Sequence, residues 1–513
     1  MPPPQPDNTS LTYFQSSVIS TIECLFPWMH VHLAANTTET EIQESEVPAE
    51  EIKPLVKPSP PPPPPQPTSI LDDLMCPISH ELPLDPVLAD DGHIYDRKSI
   101  EEWLDHDSSK TSPFTRRSIQ NCLTPSTSTL TQIQTAVESV LRSHEYGQPV
   151  NENDKQMAIV WKVDKKIQDL TKRAEEGNVN CMQRLGYIYQ DGLIDGYSCT
   201  VDQAKSYIWF KKGADYGNTR CMAVAGRYLV AFKPDKQLKD QMLGAALLGQ
   251  AATKEGSDFA CLCLGQYLVD GIYGFPKDKM LALYFYKIGL SGECAYQHAA
   301  SDFIKDSKQR LARLENDVLR PVVATMKRYG LLLTPDIVIP AILKAFFLQC
   351  HNGANKKWEL LYLAGLQGKP ASMERVGTVS YRSGWEGFEK DCHKAFQWNL
   401  HATYAGRIKS MGPAGEYLLV SKSKPSLSDQ LLGAALLGRA ATKNGADFAC
   451  LVLGGFLAKG KYGFPRDKLL AIRLLKQGNS GECAKRHAAK CVKEEAKETL
   501  RQLEEEEEEE EEE

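Results

Sequence analysis

Between Ile70 and about Arg142 the apolar positions switch from alternating to helical spacing. Val87-Leu88-Ala89 and His93-Ile94-Tyr95 are short β-prone runs on either side of Asp91-Gly92, a pair suited to a turn with positive φ, so the pattern predicts a hairpin. Asp96 then stands ahead of Ile100, Trp103 and Leu104, which are apolar at helical spacing, and it can cap the helix they predict. Thr129 and Gln132 form a capping-box pair around Leu130, followed by Ile133, Val137 and Leu141, which predicts a second amphipathic helix. Residues 70–142 therefore read as a small α+β domain with a hairpin, a central helix and a closing helix.

After a short polar connection from Ser143 to Asp154, the pattern becomes helical and repeats. Residues 243–300 match 432–489 at a constant offset of 189, so that Leu243-Gly244-Ala245-Ala246-Leu247-Leu248-Gly249 returns as Leu432-Gly433-Ala434-Ala435-Leu436-Leu437-Gly438. Tyr273-Gly274-Phe275-Pro276 likewise returns as Tyr462-Gly463-Phe464-Pro465. Inside each copy lies a shorter period: Gly177, Gly217, Gly256 and Gly292 are 36 to 40 residues apart, as are Gly368, Gly406, Gly445 and Gly481. Such a period predicts an all-α stack of helical units. Each unit holds a mid-helix apolar-Gly pair (Leu185-Gly186, Ala225-Gly226, Leu264-Gly265, Val376-Gly377, Ala414-Gly415, Leu453-Gly454). Glycine there costs about 1 kcal/mol, so its recurrence predicts close approach of neighbouring backbones. The periodic Gly suits a left-handed helix end. Two repeat blocks result, 155–300 and 368–503, joined by a helical connector at 301–367.

Composition sets limits on this picture. The 513 residues are enough for roughly three domains. The net charge of −6 is carried by ten consecutive Glu at 504–513, without which the chain is slightly basic, so no nucleic-acid footprint is expected. That acidic run reads as a solvated, mobile tail. Residues 1–69 are polar and end in a Pro run up to Pro67, which predicts a disordered arm and a stiff spacer. The most apolar N-terminal run, Val18 to Leu33, is broken by Glu23, Pro27, His30 and His32, so no signal peptide or membrane partner is expected. Fourteen scattered Cys without any C-x-x-C read as reduced thiols in a cytoplasmic or nuclear protein. His298 with Cys294, and His487 with Cys483, offer two ligands per copy, too few for a metal, and read as helix packing.

Chemistry concentrates in the first domain. Cys76-Pro77-Ile78-Ser79, Leu84-Asp85-Pro86-Val87, Gly92-His93-Ile94-Tyr95-Asp96-Arg97, Ile100-Glu101-Glu102-Trp103-Leu104, Ser112-Pro113-Phe114-Thr115-Arg116 and Leu123-Thr124-Pro125, taken as a series, resemble the U-box, a zinc-free domain of RING-like topology. The segment's own inventory agrees: Cys76, Cys122, His80, His93 and His106 are too few, and wrongly spaced, for two zinc sites. The repeats, with Leu264-Gly265-Gln266-Tyr267 and Trp209-Phe210-Lys211-Lys212-Gly213-Ala214, resemble the Sel-one-like repeat, a relative of the tetratricopeptide repeat. Tyr284-Phe285 fits that family's aromatic pair, whereas the duplicate carries Arg473-Leu474.

The U-box resemblance implies a ubiquitin ligase that docks a ubiquitin-charged conjugating enzyme, needs no cofactor or metal, and recruits a protein substrate or adaptor through its repeats. Ile78, Trp103 and Pro113 match the family's apolar groove for that enzyme, and His80 lies in the same loop where the family usually has Leu. Arg116 matches the basic residue that holds the activated ubiquitin, a task suited to a guanidinium fork that spans two carbonyls. Arg117 is its neighbour, and Ser126 replaces a customary Asn. Neither Cys76 nor Cys122 sits in a setting that would activate a thiolate, so no covalent intermediate is expected. The alternative is a non-enzymatic interaction scaffold with an inactive U-box.

Overall fold

A computed structural model describes residues 69–106, 110–119, 123–253, 256–291, 300–328, 369–384, 389–442, 447–480 and 490–512. They fall into two compact units, one ending at Ser206 and the other beginning at Tyr207. Apart from Ser69, the N-terminal arm expected over 1–69 lies outside the described residues, as do the connector from 329 to 367, Cys122, and the His298 and His487 motifs.

In the first unit the hairpin forms as its pattern requires. Strands β1 (Pro86–Leu88) and β2 (Ile94–Asp96) pair antiparallel with Val87 opposite Tyr95, and Gly92 turns between them at φ +81°. A two-residue strand β3 (Thr124–Pro125) adds to the other edge of β1, giving the order β2-β1-β3. Helix α1 (Arg97–His106) follows at once. Asp96 immediately precedes it, but its Oδ1 accepts the N–H groups of Leu84 (2.9 Å) and Asp85 (3.1 Å), so this carboxylate ties down a loop. Helix α2 (Thr127–Glu145) is capped one turn earlier than its sequence suggests: Ser126, rather than Thr129, is the cap residue, and its Oγ accepts the Thr129 N–H. The Ser126 N–H also closes onto the Pro86 carbonyl at 2.8 Å, a backbone bond that ties the residue after β3 to β1.

Two apolar clusters lie among the described residues of this unit. One gathers Cys76, Val87, Ala89, Tyr95, Ile100, Leu104 and Ile119. The other combines Leu71, Leu82, Ile133, Val137, Val140 and Leu141 with Ala158 and Trp161. The last two belong to helix α3 (Glu152–Glu175), so the stretch expected to begin a separate repeat block shares its core with the first domain. Helix α3 ends at Gly177 (φ +91°), and Asn178 caps helix α4 (Val179–Asp191) by accepting the N–H groups of Asn180 and Cys181. A small hairpin, β4 (Leu193–Ile194) and β5 (Tyr197–Ser198), follows.

Helix α5 (Gln203–Asp215) carries the chain across the unit boundary. The second unit then holds α6 (Thr219–Arg227), α7 (Leu238–Ala251), α8 (Asp258–Asp270), α9 (Lys279–Gly289), α10 (Ser301–Arg328), α11 (Pro370–Arg375), α12 (Cys392–Tyr404), α13 (Ile408–Glu416), α14 (Leu427–Ala440), α15 (Asp447–Lys459), α16 (Lys468–Asn479) and α17 (Lys490–Glu512). The duplication is longer than the matched sequence shows, because α5 to α8 and α12 to α15 have identical limits once 189 is added, and α10 and α17 begin in register. Gly217 (φ +89°) and Gly406 (φ +81°) close their helices in the left-handed region as expected, whereas Gly256 does not adopt positive φ. The mid-helix glycines approach neighbours closely, Gly226 facing the Gly244 carbonyl and Gly415 the Gly433 carbonyl.

The two copies meet along α7 and α14. A methyl added to Gly249 would overlap the Ala435 carbonyl, and one added to Gly438 would overlap the Ala246 carbonyl. These are the same pair of positions taken in opposite order, which defines a two-fold relation within one chain. The polar pairs obey it as well: Arg473 Nη2 donates to Gln250 Oε1 at 2.8 Å, and Arg439 Nη2 donates to the Tyr284 hydroxyl at 3.4 Å. The replacement of Tyr284 by Arg473 in the second copy thus gives the two equivalent contacts unlike partners.

The acidic C-terminus departs from expectation. It continues helix α17 to Glu512 and packs against α15 and α16, with Leu503 buried like its counterpart Leu314 in α10. Glu504 pairs with Lys476 (2.9 Å) as Glu315 pairs with Lys287 (2.8 Å), while Glu506 meets Arg466 and Glu510 meets Lys468. The run is the end of a repeated helix. Glu is a good helix former, and these cations offset the repulsion that would otherwise keep the run extended.

A buried ionic cluster also joins the copies: Lys211 Nζ lies 2.5 Å from Asp215 and 2.9 Å from Asp467. Burial pushes the Asp215 carboxyl up to about 6, against the pull of Lys211. The folded chain therefore binds this proton more tightly than the unfolded chain, so the carboxyl favours folding most below pH 4 and this contribution is lost as pH rises through about 6. Asp215→Asn should flatten that part of the stability profile in urea denaturation from pH 4 to 7; an unchanged profile would refute the assignment.

Candidate functional site

The predicted site residues sit on two closed loops bridged by α1. In the first, the Cys76 N–H donates to Glu81 O (2.8 Å) and the His80 N–H to Cys76 O (2.9 Å), closing the turn that carries Ile78. The Asp96 N–H points at Cys76 Sγ, 3.3 Å away, and Cys76 is fully buried. His80 is exposed and adopts φ +55°, a left-handed conformation that His enters more readily than Leu, which supplies a backbone reason for the departure from Leu. Ile78 is half-buried and packs with Trp103 against the cluster of Val87, Tyr95 and Ile100.

The second loop runs from Lys110 to Ile119, whose carbonyl and N–H respectively bond each other at 2.9 Å. The Trp103 indole N–H donates to the Thr111 carbonyl (2.9 Å), so this side chain of α1 holds the loop. Its interior is organised by Asp91, whose side chain is 1% exposed. Asp91 Oδ2 accepts the Tyr95 hydroxyl (2.8 Å) and Ser112 Oγ (2.5 Å), while Oδ1 accepts the His93 N–H (3.0 Å). Burial raises the Asp91 carboxyl, but the bonds from Ser112, the His93 N–H and Tyr95 outweigh it and hold the group below the usual carboxylate range. Burial likewise pushes the Tyr95 phenol up to about 12. Ser112 Oγ in turn accepts the N–H groups of Phe114 (3.1 Å) and Thr115 (2.8 Å), and the Arg116 N–H returns to the Ser112 carbonyl (3.0 Å).

This wiring presents Pro113 half-buried and Arg116 exposed at φ +62°. Arg117 is exposed too, but its carbonyl accepts the Ser112 N–H (2.7 Å), which assigns its backbone to loop closure. Sequence reasoning passed over three residues here. The sequence marks Asp91 only as a turn former and Ser112 only as part of a motif, and Phe114 is 63% exposed with its ring 4.5 Å from that of His93. An aromatic between Pro113 and Arg116 was the available signal. Among the described residues no group of three or more His, Cys, Asp or Glu is placed to hold a metal ion.

Residues 70–153 match the U-box domain family, and 179–218, 259–290, 370–398 and 448–480 match the Sel1 repeat. The chain carries a U-box domain and Sel1 repeats. The chain is similar to the WD repeat, SAM and U-box domain-containing protein 1 of Danio rerio, 42% identical over 52 residues (10% of each chain), and of Homo sapiens, 33% identical over 79 residues (15% of this chain and 16% of the relative). The U-box domain-containing protein 19 of Arabidopsis thaliana is 56% identical over 34 residues, 7% of this chain and 5% of its own. The match thus spans about a tenth of the length of the curated relatives from Danio rerio and Gallus gallus. A solved Sel1 repeat protein from Oxalobacter formigenes aligns with 63% of this chain and 96% of its own at 16% identity, with a TM-score of 0.20.

Proposed function

We propose that this protein is a ubiquitin ligase of the cytoplasm or nucleus, whose U-box docks a ubiquitin-charged conjugating enzyme and whose Sel1 repeats recruit a protein substrate or adaptor. The observation that supports the reading is the arrangement on the U-box: Ile78 and Trp103 pack on one apolar cluster, and the loop that carries Pro113, and Arg116 at φ +62°, is pinned through Trp103 and Asp91. An apolar anchor of this size suits weak, exchangeable docking. An exposed guanidinium can bridge two carbonyl partners and so restrict the activated ubiquitin to geometries open to attack by an amine. No covalent intermediate on the U-box is needed, and the buried Cys76 thiol is poorly placed to form one.

In the full chain, Ile78→Ala and Pro113→Ala should weaken conjugating-enzyme binding by about five- to thirtyfold each, the range of interface anchors. Arg116→Ala should leave binding nearly intact and slow discharge of ubiquitin onto free lysine by about ten- to a hundredfold. Because Trp103 serves both roles, Trp103→Ala should lower affinity and slow discharge, while Trp103→Phe should retain most of the affinity and still slow discharge. Normal discharge by the Trp103→Ala, Arg116→Ala double variant would sink the mechanism. A wild-type chain that captures partners through its repeats but never stimulates discharge would establish the scaffold reading.

A further inference from the structure

Helix α3 lies outside the U-box motifs, yet it grips the far limb of the conjugating-enzyme loop. The Trp161 indole N–H donates to the Pro83 carbonyl (2.9 Å), and Lys165 Nζ donates to the Leu84 carbonyl (3.1 Å). Trp161 is 6% exposed and shares its cluster with Leu82, two residues beyond His80. At its start, α3 takes hold of the chain again: Asp154, 2% exposed, accepts Ser69 Oγ (2.6 Å) and the Ile70 N–H (2.9 Å). From its other side the same limb is held by Asp96 Oδ1, which accepts the N–H groups of Leu84 and Asp85. Residues 81–85 are therefore clamped between the U-box and a helix beyond its motifs. The limb joins the turn bearing Ile78 and His80 directly, through Cys76 N–H to Glu81 O.

We infer that Trp161 and Lys165 are positioning residues for the conjugating-enzyme loop, so that α3 completes the docking surface of the U-box. The inference rests on the ligase reading above and deepens it. An indole N–H and an ammonium directed at successive carbonyls fix the height and rotation of a peptide segment, which burial of Leu82 alone would leave free to shift. A loop that must present one apolar residue and one exposed histidine to a partner loses affinity when it has several conformations to choose from.

The test uses the full chain carrying Trp161→Phe with Lys165→Met, which keeps most of the apolar contact and removes both donors. Affinity for conjugating enzyme should fall about five- to tenfold, the equivalent of one to two lost hydrogen bonds, while discharge at saturating conjugating enzyme stays near wild type. Hydrogen exchange should accelerate at the amides of 78–82, 84 and 85 and not at those of α4. Restoring the charge as Trp161→Phe with Lys165→Arg should recover part of the affinity. Unchanged affinity with unchanged exchange would overturn the inference, as would a fall in affinity accompanied by uniform loss of protection along α2 and α3, which would mean a role in stability alone. Should the wild-type chain bind no conjugating enzyme, the ligase reading fails on its own account. Exchange at 78–85 still decides the positioning role.

Discussion

A fragment of residues 69–148, ending before α3, should be at least about 3 kcal/mol less stable in urea than one of residues 69–206, although it contains nearly all of the U-box motifs. The loss follows from what α3 contributes: a nearly buried Trp161, a fully buried Ala158, the hydrogen bonds to the Pro83 and Leu84 carbonyls, and the buried Asp154 that ties down Ser69 and Ile70. Removing one large buried aromatic alone commonly costs 3 to 5 kcal/mol. In addition, the second apolar cluster of the unit would be opened along the face that α3 covers. Midpoints that coincide would mean that α3 merely rests on the domain.

The second large effect separates two kinds of helical glycine. Gly249→Ala and Gly438→Ala should each destabilise the repeat unit by about 2 to 4 kcal/mol, because the new methyl would collide with a backbone carbonyl that no rotamer change can move aside. Gly455→Ala is the control. That glycine also lies inside a helix, α15, but nothing stands within 4 Å of its missing Cβ, so helix propensity should raise stability by roughly 0.5 to 1 kcal/mol. Opposite signs at chemically identical substitutions would show that the α7–α14 contact, and not propensity, decides. Stabilisation by Gly438→Ala would refute the close approach of those helices.

What could be read in the sequence depended on how local the cause was. The hairpin at Asp91-Gly92 and the helix through Ile100 and Leu104 were legible because period and turn chemistry act within a few residues. Strand β3 is only two residues long and leaves no period to detect. The glycines announced close packing, and the duplication announced two copies. Neither disclosed that the copies pair reciprocally through α7 and α14, since a small-residue face does not specify what it meets. Helix α3 falls almost wholly in the stretch expected to begin the first repeat block, and nothing local in its sequence shows that Ala158 and Trp161 pack into the first domain. The helical state of the Glu run is not legible locally because its cations, Lys476 and Lys468 on α16 and Arg466 just ahead of it, are distant in sequence. In the candidate site, motif spacing singles out Ile78, His80, Trp103, Pro113 and Arg116. It missed the Asp91–Ser112 hub because a turn-forming Asp gives no sign that its carboxylate will be buried.

The reciprocal seam between the copies also sets a timetable for biosynthesis. Helix α7 leaves the ribosome 189 residues before its partner α14. At about 5 to 20 residues per second, that leaves roughly 10 to 40 s in which the Gly249 face has no native cover. Arg439 and Arg473, the counterparts of Gln250 and Tyr284, arrive only with the second copy. Two nascent first copies on neighbouring ribosomes can therefore meet through the same small-residue face without setting arginine against arginine, whereas two second copies cannot. Wrong pairing between like copies is thus open to the first copy and opposed by the two arginines in the second.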